Sequence, residues 1–95
     1  MARIVVIPDE GQPVEYPLVE KYVTVGRTPA NHIRITDGAA SRKHLMIKAV
    51  NDSFTLVDLG SANGTVVNGE RVQSHDLTHD DRIQIGKTVL VFKED

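Results

Sequence analysis

Gly26-Arg27, Ser41-Arg42-Lys43-His44 and Asp58-Leu59-Gly60-Ser61-Ala62-Asn63-Gly64-Thr65 are polar runs set between hydrophobic stretches of β type. Recognition residues are disproportionately carried on loops held by a rigid scaffold. The side chains in these runs suit one kind of ligand. Arg27 and Arg42 each present a fork of always-charged N–H donors, which matches an oxyanion. Ser41 adds a short hydroxyl, and Asn63 adds a donor and an acceptor on one planar amide. An oxyanion is therefore the ligand to expect, and a phosphate carried on another protein fits best.

Other chemistries can be set against the same chain. Ser41, His44 and Asp58 would make a hydrolase triad if the imidazole lay within hydrogen-bond reach of the serine hydroxyl and were oriented by the carboxylate. Ala40-Ser41-Arg42 lacks the flanking glycines of a nucleophile elbow, which argues against it. His75 and His79, with Asp76, Asp80 and Asp81, would share a face on a helix. Leu77 is the sole apolar residue there, so the stretch reads as a solvated polar turn rather than a metal site. Gly60 to Thr65 lacks the Lys-Ser/Thr of a nucleotide-binding loop, and no helix follows. Neither a metal nor a cofactor is expected, and no catalysis.

These runs need a scaffold, and 95 residues suffice for one domain spanning 1–95. With 40% hydrophobic residues and only Tyr16, Tyr22, Phe54 and Phe92 as aromatics, the core must rest on Val, Ile and Leu, which favours strands. The net charge of −2 gives no general pull toward nucleic acid, so a positive spot would be local: enough for one phosphate, too little to track a nucleic-acid backbone. There is no cysteine, hence no disulfide framework. The apolar run at Ile4–Ile7 is shorter than a signal segment, and no stretch approaches bilayer-spanning length. A cytoplasmic location and no membrane partner are expected.

Strand-like segments recur along the whole chain. Arg3–Ile7, Val14–Leu18, Lys21–Val25, Ile33–Ile35, Leu45–Ala49, Phe54–Asp58, Thr65–Val67, Ile83–Ile85 and Thr88–Phe92 carry β-branched or alternating residues. Pro13 and Pro17 mark edges or breaks. Asn68-Gly69 is a hairpin signal, because both residues tolerate positive φ. No window has a helical period. An all-β sandwich or barrel follows. A sandwich clusters its loops at its ends, so loops distant in sequence can converge.

The order of these motifs resembles that of the forkhead-associated domains, a family of phosphothreonine-peptide-binding β-sandwiches. The resemblance runs over nearly the whole chain: Gly26-Arg27, Asn31 with Ile33 and Ile35, Ser41-x-x-His44, Asp58-Leu59-x-Ser61-x-Asn63-Gly64-Thr65, Val67-Asn68-Gly69, then Leu77, Asp81, Ile83, Ile85 and Gly86. It implies a two-sheet sandwich with functional loops at one end and a phosphothreonine-containing protein or peptide as partner. It assigns Arg27, Ser41 and Arg42 to the phosphate, with Arg42 touching either phosphate or ligand main chain. Asn63 would bridge to the peptide main chain. His44 would tie its loop together, and Asn68 would be a turn residue first and a brace second. Gly26, Gly64 and Gly69 are expected to supply backbone freedom.

Two positions depart from the family pattern. Ala62, counted with Asn63 on the peptide-binding side, stands where the family usually has Thr or Ser, so one hydrogen bond to the ligand is missing. Asp80 stands where Gly is frequent, and Asp tolerates the left-handed region. The segment Gly38-Ala39-Ala40 is small and carries no information on partner preference. A phosphate-independent sandwich that binds its partner through a sheet face is the alternative that Ala62 favours.

Overall fold

The computed structural model describes residues 1–95. The chain is all β: β1 (Ala2–Ile7), β2 (Val14–Pro17), β3 (Tyr22–Gly26), β4 (Ile33–Arg34), β5 (Leu45–Val50), β6 (Ser53–Asp58), β7 (Thr65–Val67), β8 (Glu70–Val72), β9 (Ser74–Asp76), β10 (Arg82–Ile85) and β11 (Thr88–Glu94). One sheet has six strands in the order β2-β1-β11-β10-β7-β8, the other five in the order β4-β3-β5-β6-β9. The result is a two-sheet sandwich. No helix is long and apolar enough to cross a membrane.

Alternation along the strands makes the core. In β1 the side chains of Ala2, Ile4 and Val6 are buried while those between them are half-exposed, the period of a strand with one face inward. Ile4, Val25, Leu45, Leu56, Ile83, Leu90 and Phe92 are almost wholly removed from water. Phe92 meets Phe54 with ring centroids 5.6 Å apart and tilted by 54°, a favourable aromatic arrangement. Pro17 lies on the edge strand β2, where its missing N–H costs no ladder bond.

The Asn68-Gly69 hairpin joins β7 to β8, with φ of 50° and 85°, both in the left-handed region that a two-residue turn of the favoured hand requires. β8 and β9 are the strands that hydrophobic patterning misses. Their sequences, Glu-Arg-Val and Ser-His-Asp, leave every side chain at least partly exposed, so tertiary pairing with β7 and β6 makes them strands. The stretch around His75 is thus no solvated turn: it starts as an edge strand.

Register brings the polar runs together. β3 pairs with β5 through Val25 opposite Leu45, and β5 with β6 through Leu45 opposite Asp58. Because both pairings are antiparallel, the end of β3, the start of β5 and the end of β6 form one row across the sheet. Arg27, His44 and Leu59 step off that row at the same end of the sandwich.

Candidate functional site

Arg27 and Ser41 are joined through their main chains. The Arg27 N–H donates to the Ser41 carbonyl at 3.0 Å, and the His44 N–H to the Val25 carbonyl at 2.8 Å. The Asn31 amide seals this junction, its Nδ2 donating to the carbonyls of Arg42 at 2.7 Å and Thr28 at 3.0 Å. Gly26 sits under it for a reason other than backbone freedom. Its φ is not positive; instead a β-carbon there would stand 2.2 Å from the Arg42 carbonyl oxygen and 2.7 Å from Asn31 Nδ2. Only a residue without a side chain allows the two loops to approach this closely.

His44 is completely buried and bonded at both ring nitrogens. The Ser41 backbone N–H donates to Nδ1 at 3.0 Å, so that nitrogen must be the acceptor. The proton is then on Nε2, which donates to the Gly64 carbonyl at 2.9 Å. One imidazole thereby links the Ser41 loop to the Asn63-Gly64 loop. The Ser41 hydroxyl oxygen makes a second link by accepting the Ala62 N–H at 3.0 Å.

This geometry is incompatible with a hydrolase triad. His44 bonds the main chain of Ser41 and not its hydroxyl, and Asp58 does not bond His44. Asp58 instead ties its own loop: Oδ1 accepts the Ser61 N–H at 2.8 Å, and Oδ2 accepts the hydroxyls of Ser61 at 2.6 Å and Thr65 at 2.7 Å. Burial pushes the Asp58 carboxyl up, but the Ser61 and Thr65 hydrogen bonds outweigh it and hold it below its ordinary value.

Gly38-Ala39-Ala40, uninformative as sequence, is the platform between the Arg27 and Asn63 side chains. Arg27 Nε donates to the Ala40 carbonyl at 3.0 Å, and Asn63 Nδ2 to the Ala39 carbonyl at 2.9 Å. Asp37 anchors the platform: its carboxylate accepts the N–H groups of Ala39 and Lys87, both at 2.9 Å, and the Thr88 hydroxyl at 3.0 Å. The Ala39 bond is the chief cause that holds Asp37 below the usual carboxylate range. Main-chain carbonyls and a loop-closing Asp leave no pattern in composition or periodicity, so sequence reasoning had no signal for either.

The groups left over define what the site can do. Arg27 spends Nε on Ala40, which aims the guanidinium while its two terminal nitrogens stay free. Ser41 accepts at its hydroxyl oxygen, and its own proton has no acceptor within the protein. Asn63 keeps its amide oxygen free. Arg42 and Lys43 are exposed and make no side-chain hydrogen bond or ion pair within the chain. Donors and cations thus face outward beside one free amide acceptor, the complement of an anionic group attached to a main chain.

The remaining sequence candidates lie elsewhere. His75 Nε2 bonds Asp81 Oδ2 at 2.9 Å, and Asp81 also accepts from Asn68 Nδ2 at 2.8 Å and the Thr78 N–H at 2.8 Å. Asn68 Oδ1 accepts the Arg82 N–H at 3.0 Å, so this asparagine braces as well as turns. The His79 ring accepts the Glu94 N–H at 2.9 Å. Asp80 has φ of 71°, the left-handed conformation its position demands. No group of three or more His, Cys, Asp or Glu side chains is placed to hold a metal ion.

Residues 23–86 match the family model described as FHA domain. The glycogen accumulation regulator GarA of Mycobacterium tuberculosis is 43% identical over 76 residues, a match covering 79% of this chain and 47% of that protein. The chain therefore spans about half the length of this curated relative. Among solved structures, the FHA domain of CT664 from Chlamydia trachomatis superposes with a TM-score of 0.91 at 26% identity, over 99% of this chain and 97% of that one. A structure from an analysis of phosphothreonine-dependent FHA domain interactions superposes with a TM-score of 0.88 at 31% identity, over 98% and 97% of the two chains.

Proposed function

The chain belongs to the FHA domain family, and we propose that it is a non-catalytic module whose loop end captures a phosphothreonine-containing segment of a partner protein. The observation that carries this reading is the pairing of Arg27 with Ser41. A tethered guanidinium and a hydroxyl with a free proton are locked together by the Arg27 N–H to Ser41 carbonyl bond.

Each residue then has a role. Arg27 gives two N–H groups to the phosphate, which brings about −1.5 to −2 charges and three acceptor oxygens. Ser41 donates its hydroxyl proton to a second oxygen, and Arg42 adds charge at the rim. Asn63, held flat by Ala39, turns its free amide oxygen toward a main-chain N–H of the extended ligand. Ala62 contributes only its backbone. His44, Gly26 and Asn68 act indirectly, as supports.

Each charge-assisted hydrogen bond contributes about 1.5–3 kcal/mol. Lost freedom on association offsets much of that. Affinity near the micromolar level, about −8 kcal/mol, is the expected result. By likeness to GarA the module belongs in a regulatory protein, and the absence of cysteine fits the reducing cytoplasm. Titration with one peptide in phosphothreonine, phosphoserine and unmodified forms tests the proposal. Equal affinity for modified and unmodified peptide would leave the phosphate-independent sheet face as the binding surface.

A further inference from the structure

Arg71 lies outside every motif considered so far, on β8 opposite Val66 of β7. Its side chain folds back over the neighbouring loop. Nε, Cζ and Nη2 stand 2.6, 2.8 and 3.0 Å from where a β-carbon on Gly64 would be, so the guanidinium lies flat on the Gly64 backbone. Gly64 has φ of 83°, which presents its bare α-carbon to the arginine. The side chain is held by packing alone: Arg71 takes part in no ion pair and no side-chain hydrogen bond, although Glu70 precedes it.

The position matters because Gly64 directly follows Asn63, whose amide faces the ligand main chain in the function proposed above. An unpaired cation on a body of net charge −2 therefore packs on the residue next to Asn63. Asp58, the carboxylate at the head of that loop, has its oxygens committed to Ser61 and Thr65. Nothing in the protein neutralises Arg71.

The geometry points to Arg71 as a specificity residue that selects ligands with a second anionic group near the phosphothreonine. This inference rests on the phosphothreonine reading. The group is a carboxylate of Asp or Glu, or the phosphate of a second modified residue; a planar guanidinium takes either in bidentate fashion. Its contribution is that of a partly exposed charge pair, a gain of roughly fivefold in affinity.

The test is a positional scan. A phosphothreonine peptide with alanine at the four positions on either side is titrated, then each alanine is replaced in turn by glutamate and by phosphoserine. One position gains about fivefold with glutamate and more with phosphoserine. In Arg71→Gln that gain disappears, the all-alanine peptide binds within about twofold of its original affinity, and the melting temperature is maintained; Arg71→Lys restores part of the gain. Absence of any favoured position overturns the inference, as does a gain that survives in Arg71→Gln or a variant that weakens every peptide equally. A scaffold peptide that binds equally without its phosphate would instead sink the phosphothreonine reading itself, and this inference with it.

Discussion

His44 presents Nδ1 to the backbone N–H of Ser41 at 3.0 Å, leaving the serine hydroxyl to the Ala62 N–H. The residue best placed by sequence to activate a nucleophile instead fixes the loop that carries it. Its Nε2 proton goes to the Gly64 carbonyl, so the imidazole joins two loops that are 20 residues apart.

His44→Ala removes both bonds and opens a cavity in a fully buried position. The cost expected is about 2–4 kcal/mol in chemical denaturation, the range for a buried network member lost with its volume. A reactive-serine probe leaves Ser41 unlabelled in the original protein. Covalent labelling there would revive the hydrolase reading.

Gly26→Ala forces a methyl group to 2.2 Å from the Arg42 carbonyl oxygen. Backbone must move, and stability falls by roughly 2 kcal/mol or more. Gly38→Ala is the control, since nothing lies within 4 Å of its β-carbon and its φ is not positive. There the change is neutral or stabilises by up to about 1 kcal/mol. Urea midpoints of both variants check the contrast, which a pure flexibility role for Gly26 does not predict.

Ala62→Thr places a hydroxyl beside the Ser41–Asn63 pair, at the position where the family usually carries one. One added neutral hydrogen bond is worth about 0.5–1.5 kcal/mol, so a phosphothreonine peptide should bind roughly threefold to tenfold tighter. Titration of this variant against the original reads the effect. Unchanged affinity would mean that residue 62 does not face the ligand.

Acid should unfold the sandwich through Asp58 and Asp81. Burial raises both carboxyls, yet hydrogen bonds win: the Ser61 and Thr65 bonds for Asp58, the Thr78, Asn68 and His75 bonds for Asp81. A carboxyl with a folded-state pKa below its unfolded value contributes its full stability above the unfolded value, about 4, and loses it as pH falls through the lowered one. The melting temperature should therefore be flat above about pH 5 and drop steeply below about pH 4. In Asp58→Asn the acid-dependent drop becomes shallower.

The fold was legible because most strands announce themselves. β1, β5, β10 and β11 alternate or run in β-branched residues, and Asn68-Gly69 marks its own hairpin. β8 and β9 were not legible, because partners in space and not their polar sequences make them strands. At the candidate site, Arg27, Ser41 and Asn63 stand out by side-chain chemistry and motif order. The carbonyls of Ala39 and Ala40 that aim two of them could not, since any residue supplies a carbonyl. Asp37 closes a contact across 51 residues to Thr88, a distance over which no local pattern carries. Arg71 escaped for the same reason: its relation to Gly64 exists only once β7 and β8 have paired.

Calorimetric titration of the protein and of Arg27→Ala with a single peptide, phosphorylated on threonine or unmodified, tests the central claim most directly. The account predicts micromolar binding of the phosphorylated form alone and a loss of tenfold or more in Arg27→Ala, as removal of a charged hydrogen-bond partner demands. Binding that ignores the phosphate, or that Arg27→Ala leaves intact, would contradict it.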